Sequence, residues 1–182
     1  YDAVLAALRL LCDPDGFGLS RRRVTLSTAG LAPAIERLAA EPLRPRLAVS
    51  LNATTDELRD RIMPINRKYP IERLLAACSR FTGSTGEELT FEYVLLAGIN
   101  DSDEDIGRLQ KMVRSQRAKL NLIPFNAVPE ELRYRSPAKH RIIAIRDRLL
   151  RAGLPVSIRW SRGADARAAC GQLARPKGEN EP

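Results

Sequence analysis

The sequence predicts an α/β fold built on a parallel sheet, and three observations carry that prediction. Short β-branched and apolar runs alternate with amphipathic helical stretches along most of the chain. Start and stop signals for helices stand between the runs: Pro33, Thr54 with Glu57, Ser102 with Asp105, and Ser136-Pro137 closed by Gly153. The length, 182 residues, is enough for one sizeable core and hence one domain.

Each element has its own reason. Residues 2–12, DAVLAALRLLC, make an apolar-faced helix, and Gly16 and Gly18 turn the chain into the strand RVTLSTAG at 23–30. Pro33 suits the first turn of the following helix, LAPAIERLAAE, where its missing N–H is no loss. RLAVSLNA, 46–53, is the second strand; Thr54 and Glu57 read as a capping box for a short helix, and a further helix covers 71–81. LTFEYVLLAG, 89–98, is the third strand, after which Ser102 with Asp105 opens a helix. KLNLIPFN, 119–126, is the fourth strand, a helix runs from Ser136-Pro137 to Gly153, and LPVSIRW, 154–160, is the last strand. A leading helix with no strand before it, and Tyr1 in place of a start methionine, read as a chain cut inside a larger βα architecture. The tail 175–182 is expected to be disordered.

Composition narrows the function. With 44% hydrophobic and 29% charged residues the chain reads as soluble and globular. No apolar run approaches the roughly 20 residues a membrane span needs, no signal-peptide pattern is read, and no membrane partner is expected. Cys12, Cys78 and Cys170 are too few and too scattered for a disulfide framework or a local metal motif, so a reducing, cytoplasmic setting is expected. A single histidine, His140, argues against histidine-based catalysis. The net charge of +8 is concentrated: residues 133–177 hold 12 Lys/Arg against Asp147 and Asp165. Such a half fits a polyanion, RNA or DNA before an anionic membrane; a solvated helix face is the plain alternative.

In parallel βα folds the chemistry collects at the C-terminal ends of the strands. Here those ends carry Ser27, Ser50 with Asn52, Asn100 with Asp101, Asn126, and Arg162. Neutral hydroxyls and amides suit holding a polar ligand by hydrogen bonds rather than hydrolysing it. Singly, Ser and Asn would only cap helices; their repetition at successive strand ends points to a binding rim. No Gly-x-Gly-x-x-Gly and no Walker sequence is present. Cys170, in DARAACGQLARP at 165–176, lies in a segment without helical or strand periodicity. Its local setting leaves open a small hydrophobe or a reactive thiol.

Read together, RRRVTLSTAGLAPAIERL, LAVSLNATTDELRDRIMPINRKYPI, EYVLLAGINDS, LNLIPFN and RGADARAACGQLA resemble the RlmN family from about Tyr1 to Ala174. These are radical S-adenosylmethionine enzymes that methylate C2 of an adenine in 23S rRNA, and in some bacteria in tRNA. The resemblance implies the later strands of a partial (β/α)6 radical-SAM barrel, truncated at its N-terminus. It implies contacts to S-adenosylmethionine from Ser27, Ser50, Leu51, Asn52 and Asn126, although many members carry His where this chain has Asn52. Cys170 falls on the family's methyl-carrying cysteine, whereas Cys12 and Cys78 match no functional position. The sulfur explains the choice of residue, because C2 of adenine is too weakly nucleophilic to take a methyl cation directly and a thiolate is not. The small neighbours Ala168, Ala169 and Gly171 let the backbone approach cofactor and base, and Arg159, Arg162 and Arg167 could meet phosphates. The [4Fe–4S] cluster motif, a second catalytic cysteine, a Gly-Glu-Pro segment and an RNA-binding domain would precede Tyr1. The chain alone is therefore expected to be inactive, and the whole protein to be a monomer with an electron donor as partner. The sister Cfr-type C8 methyltransferases and a non-catalytic RNA-binding barrel remnant are the alternatives.

Overall fold

The computed structural model describes residues 1–126 and 133–160. Five strands form one sheet in the order of the chain: β1 (Thr25–Thr28), β2 (Arg46–Ser50), β3 (Leu89–Leu95), β4 (Ala118–Pro124) and β5 (Val156–Ile158). Every neighbouring pair is parallel. Parallel strands cannot be joined by tight turns, so a helix crosses over between each pair. These helices are α2 (Ala32–Ala40), α3 (Asp56–Ile62) followed by α4 (Ile71–Thr85), α5 (Asp103–Arg114) and α6 (Lys139–Arg151); α1 (Asp2–Cys12) precedes the sheet.

Sequential strand order has a consequence. When each crossover has the same hand, all helices fall on one face of the sheet. The core records this: Leu47, Val49, Leu89, Phe91, Tyr93, Leu95, Leu120 and Leu122 share a single cluster with side chains of α2, α4, α5 and α6. The alternate residues stand on the opposite face and are mostly polar: Thr25, Ser27, Arg46, Ser50, Thr90, Glu92, Lys119, Asn121 and Ser157, with Ala48, Val94 and Ile123 among them. Parallel sheets are normally covered on both faces, so a polar second face is the feature that asks for a function.

Local chemistry corrects several details of the sequence reading. The strand read at 23–30 is shorter, because Arg21–Arg23 form a 3-10 turn that Ser20 caps. Thr55, not Thr54, caps α3 by accepting the Leu58 N–H. Thr54 is buried instead, donating to Asp105 at 2.7 Å. The helix read at 71–81 continues to Thr85 and stops at Gly86, whose left-handed φ of 69° favours glycine. Ser102 does cap α5 through the Asp105 N–H at 3.0 Å. Ser136 does not cap α6, which begins at Lys139 after Ala138, while Gly153 at φ 80° ends it as expected. Among the described residues no helix is long and apolar enough to cross a membrane.

Candidate functional site: the polar face and its strand-end rim

Because the strands are parallel, their C-terminal ends form one rim. Ser27 is exposed near the end of β1, Ser50 is the last residue of β2, and Asn126 is half-buried two residues beyond β4. Cys170, Arg162, Arg167 and the tail 175–182 lie outside the described residues.

The turn after β2 is the most constrained part of the rim. Leu51 is fully buried and its N–H extends the ladder by donating to the Glu92 carbonyl at 2.9 Å. Asn52 then takes a left-handed φ of 58°, a conformation that Asn and His accept more readily than most residues. The Asn52 side chain is committed internally: its Oδ1 accepts the Val94 N–H at 2.9 Å and its amide donates to Met63 Sδ at 3.3 Å.

Two residues that sequence reading passed over hold this turn. Arg59 of α3 is fully buried and donates to the carbonyls of Leu51 (3.0 Å), Ser50 (3.0 Å) and Ala29 (2.9 Å) and to Asn66 Oδ1 (3.0 Å). One guanidinium therefore ties the ends of β1 and β2 together. Asn66 in turn donates to Asp56 and Asp60, at 2.9 and 2.7 Å. Burial pushes the Arg59 guanidinium down, and Asp56 and Asp60 oppose that shift. Close approach also explains Gly30: at φ 106° an added Cβ would lie 3.1 Å from both Arg59 and Leu74. Asn100 was expected on the rim and is not there. It is fully buried, donating to the carbonyls of Asn52 (2.8 Å) and Val94 (2.7 Å) and accepting the Leu96 N–H.

Glu92 is the third residue missed. It is the one acidic side chain within the five strands, and it stands on the polar face beside its register partner Ser50. Ser27 Oγ donates to it at 3.5 Å and Arg159 approaches its other oxygen at 3.4 Å. The signal was an acid in the middle of the apolar alternation LTFEYVL. Below it, toward the N-terminal ends of the strands, Thr25, Arg46, Glu87, Glu88, Lys119 and Arg159 help line an open groove of about 520 Å³, to which Ser27, Ser50 and Asn126 do not contribute. The apolar crevice under α1, among Tyr1, Leu5, Leu8 and Leu26, measures about 50 Å³.

Comparison with known proteins agrees with this fold. No protein-family model matches the chain. A dual-specificity RNA methyltransferase RlmN from Anaeromyxobacter sp. is 49% identical over 182 residues, all of this chain and 48% of the relative. An RlmN from Pelobacter propionicus is 51% identical over 172 residues, 94% of this chain and 49% of the relative. A crystal structure of a radical SAM methyltransferase from Sphaerobacter thermophilus superposes with a TM-score of 0.89 at 46% identity, covering 94% of this chain and 50% of that one. The chain is thus similar along its whole length to proteins named RlmN, and spans about half of theirs. A domain of a pyruvate-formate lyase-activating enzyme from Bacteroides vulgatus, TM-score 0.59 at 16% identity, shares the fold alone.

A radical SAM methyltransferase in general implies S-adenosylmethionine and a [4Fe–4S] cluster. The described residues fit the first: an open polar face with hydroxyls, an amide and a carboxylate can hold a nucleoside by hydrogen bonds. They do not fit the second. No described group of three His, Cys, Asp or Glu could hold a metal. Of the two described cysteines, Cys78 is buried in the core and Cys12 is half-buried at the end of α1.

Proposed function

We propose that this chain is the substrate-side part of an RlmN-type radical S-adenosylmethionine RNA methyltransferase, acting in the cytoplasm on C2 of an adenine in 23S rRNA and in tRNA. The observation that carries this reading is the uncovered polar face of an otherwise well-packed parallel sheet, with Ser27, Ser50 and Asn126 on one rim. Near-50% identity to RNA methyltransferases along the whole chain supports it.

In this reading Ser27, Ser50 and Asn126 contact S-adenosylmethionine through their side chains, and Leu51 and Asn52 through their backbone. S-adenosylmethionine, when bound, supplies the methyl group. The backbone assignment for Asn52 follows from its committed side chain. Arg59 and Asn100 keep the turn in one conformation, so the rim meets its ligand without reorganising. Cys170 is the residue assigned to carry the methyl group, and the arginines around it meet RNA phosphates.

The test is nucleoside analysis of 23S rRNA and tRNA from a host lacking its own enzyme. Expression of the full-length protein should restore C2-methyladenosine, and the tryptic peptide containing Cys170 should carry a methyl group by mass spectrometry. C8-methyladenosine would assign the sister Cfr-type activity instead. RNA binding with no methylated nucleoside would leave only a binding module.

A further inference from the structure

We propose that Glu92 holds the ribose diol of S-adenosylmethionine, an inference that rests on reading the polar face as the cofactor site. The starting point is an imbalance. An ionised carboxylate offers about four acceptor positions, and the Glu92 side chain is only 15% exposed. Yet among the described residues its side-chain donors are Ser27 at 3.5 Å and Arg159 at 3.4 Å, both long for hydrogen bonds. A largely buried carboxylate with loosely placed donors has capacity for a ligand that brings O–H or N–H groups of its own.

The surroundings select which groups. Arg159 already supplies a cation to Glu92, and Arg46 and Lys119 stand on the same face. A second cation, such as an ammonium, would meet these positive charges, so neutral donors are favoured. The two oxygens of one carboxylate match the spacing of vicinal hydroxyls, the geometry by which acidic residues recognise ribose in other nucleotide sites. Space is present too. Ala48 is the register partner of Ser27 on one side and Thr90 on the other, so only a methyl group separates Ser27 from the Glu92 strand. Ser50, beside Glu92, would then face the same sugar.

The experiment measures binding, by calorimetry on the full-length protein, of two probes: S-adenosylhomocysteine and its 2′,3′-dideoxy counterpart. The wild-type protein should prefer the diol by about tenfold or more, the scale of hydrogen bonds to a charged acceptor. In Glu92→Gln, which keeps the shape and removes the charge, that preference should shrink to about twofold while the thermal unfolding profile is retained. Glu92→Asp, drawn back by one methylene, should lose the preference as well, and it serves should the Gln variant fold poorly. A wild-type protein that binds both probes equally, or a variant that keeps the full preference, overturns the assignment of Glu92 and leaves the cofactor site standing. A wild-type protein that binds neither probe overturns the cofactor reading itself.

Discussion

Cys78 is a core thiol, in contrast to the methyl-carrying role proposed for Cys170. Cys78 is fully buried in the main core, and burial pushes its thiol up to about 12, so it stays protonated and inert at neutral pH. Cys78→Ala should leave RNA methylation intact and cost about 1 kcal/mol of stability for the lost sulfur contacts, read from urea unfolding. Cys170→Ala should abolish C2-methyladenosine in the nucleoside assay; normal product from that variant would mean that the methyl never passes through this sulfur. Arg59 is the other residue with a disproportionate role. Arg59→Leu would leave the carbonyls of Ala29, Ser50 and Leu51 without their donor. At about 1 kcal/mol or more for each buried orphan, a loss of at least about 3 kcal/mol is expected in denaturant unfolding. Arg59→Lys should recover only part of it, because an ammonium cannot reproduce the planar fork.

Helices are locked to one another by carboxylates whose protonation can be tested. Glu36 of α2 takes a bidentate pair from Arg73 at 2.6 and 2.7 Å and a further contact from Arg80, both on α4. The Arg73 hydrogen bonds, more than any other cause, lower its carboxyl to about 2. Asp105, in the first turn of α5, is pushed up by burial. Hydrogen bonds from Thr54, Ser102 and Arg108 outweigh that and hold it below the ordinary aspartate value. For both, the folded value lies below the unfolded one, so the unfolded chain takes up protons first as pH falls. The stabilisation is therefore present above the ordinary carboxylate range, about pH 4 to 4.5, and is lost toward pH 2. Melting temperature should drop over that window, and the drop should be shallower in Glu36→Gln and in Asp105→Asn. A melting temperature flat from pH 5 to 2 would show that neither carboxylate is coupled to folding. The cap of α3 offers a simpler check: Thr55→Ala should cost about 1 kcal/mol.

At the scale of the molecule, the basic half is less free than its charge count implies. Arg141 and Arg148 both pair with Asp103, Arg146 pairs with Asp147 and Arg159 with Glu92. Trp160 is partly exposed with Lys139 5.8 Å from its ring, so aromatic and cationic groups still meet at the end of β5. RNA affinity of the full-length protein should fall roughly tenfold or more between about 50 and 200 mM salt, because phosphate contacts release counterions. The slope should stay below that expected from all 12 cations, since several are already neutralised. A salt-independent affinity would remove phosphate contacts as the basis of binding.

The sequence by itself determined the α/β class, the order of strands and crossover helices, and the single rim on which Ser27, Ser50 and Asn126 stand. These follow from local periodicity and from the geometry of parallel connections, both written into neighbouring residues. It also carried the resemblance to RlmN proteins, through long ordered motifs, before any contact was known. Only the tertiary structure decided which polar residues of that rim are available to a ligand. Asn100 and the Asn52 side chain looked like rim groups and are spent on internal hydrogen bonds, while Glu92 looked like an unremarkable strand residue and stands on the open face. Ser27 meets Glu92, 65 residues away, because β1 and β3 flank β2 in the sheet, and Arg59 reaches Ala29, 30 residues away, because α3 packs against the strand ends. Contacts of that span leave no local pattern: the same Arg, Asn or Glu on a helix or strand reads as solvated until its neighbours across the sheet are in place.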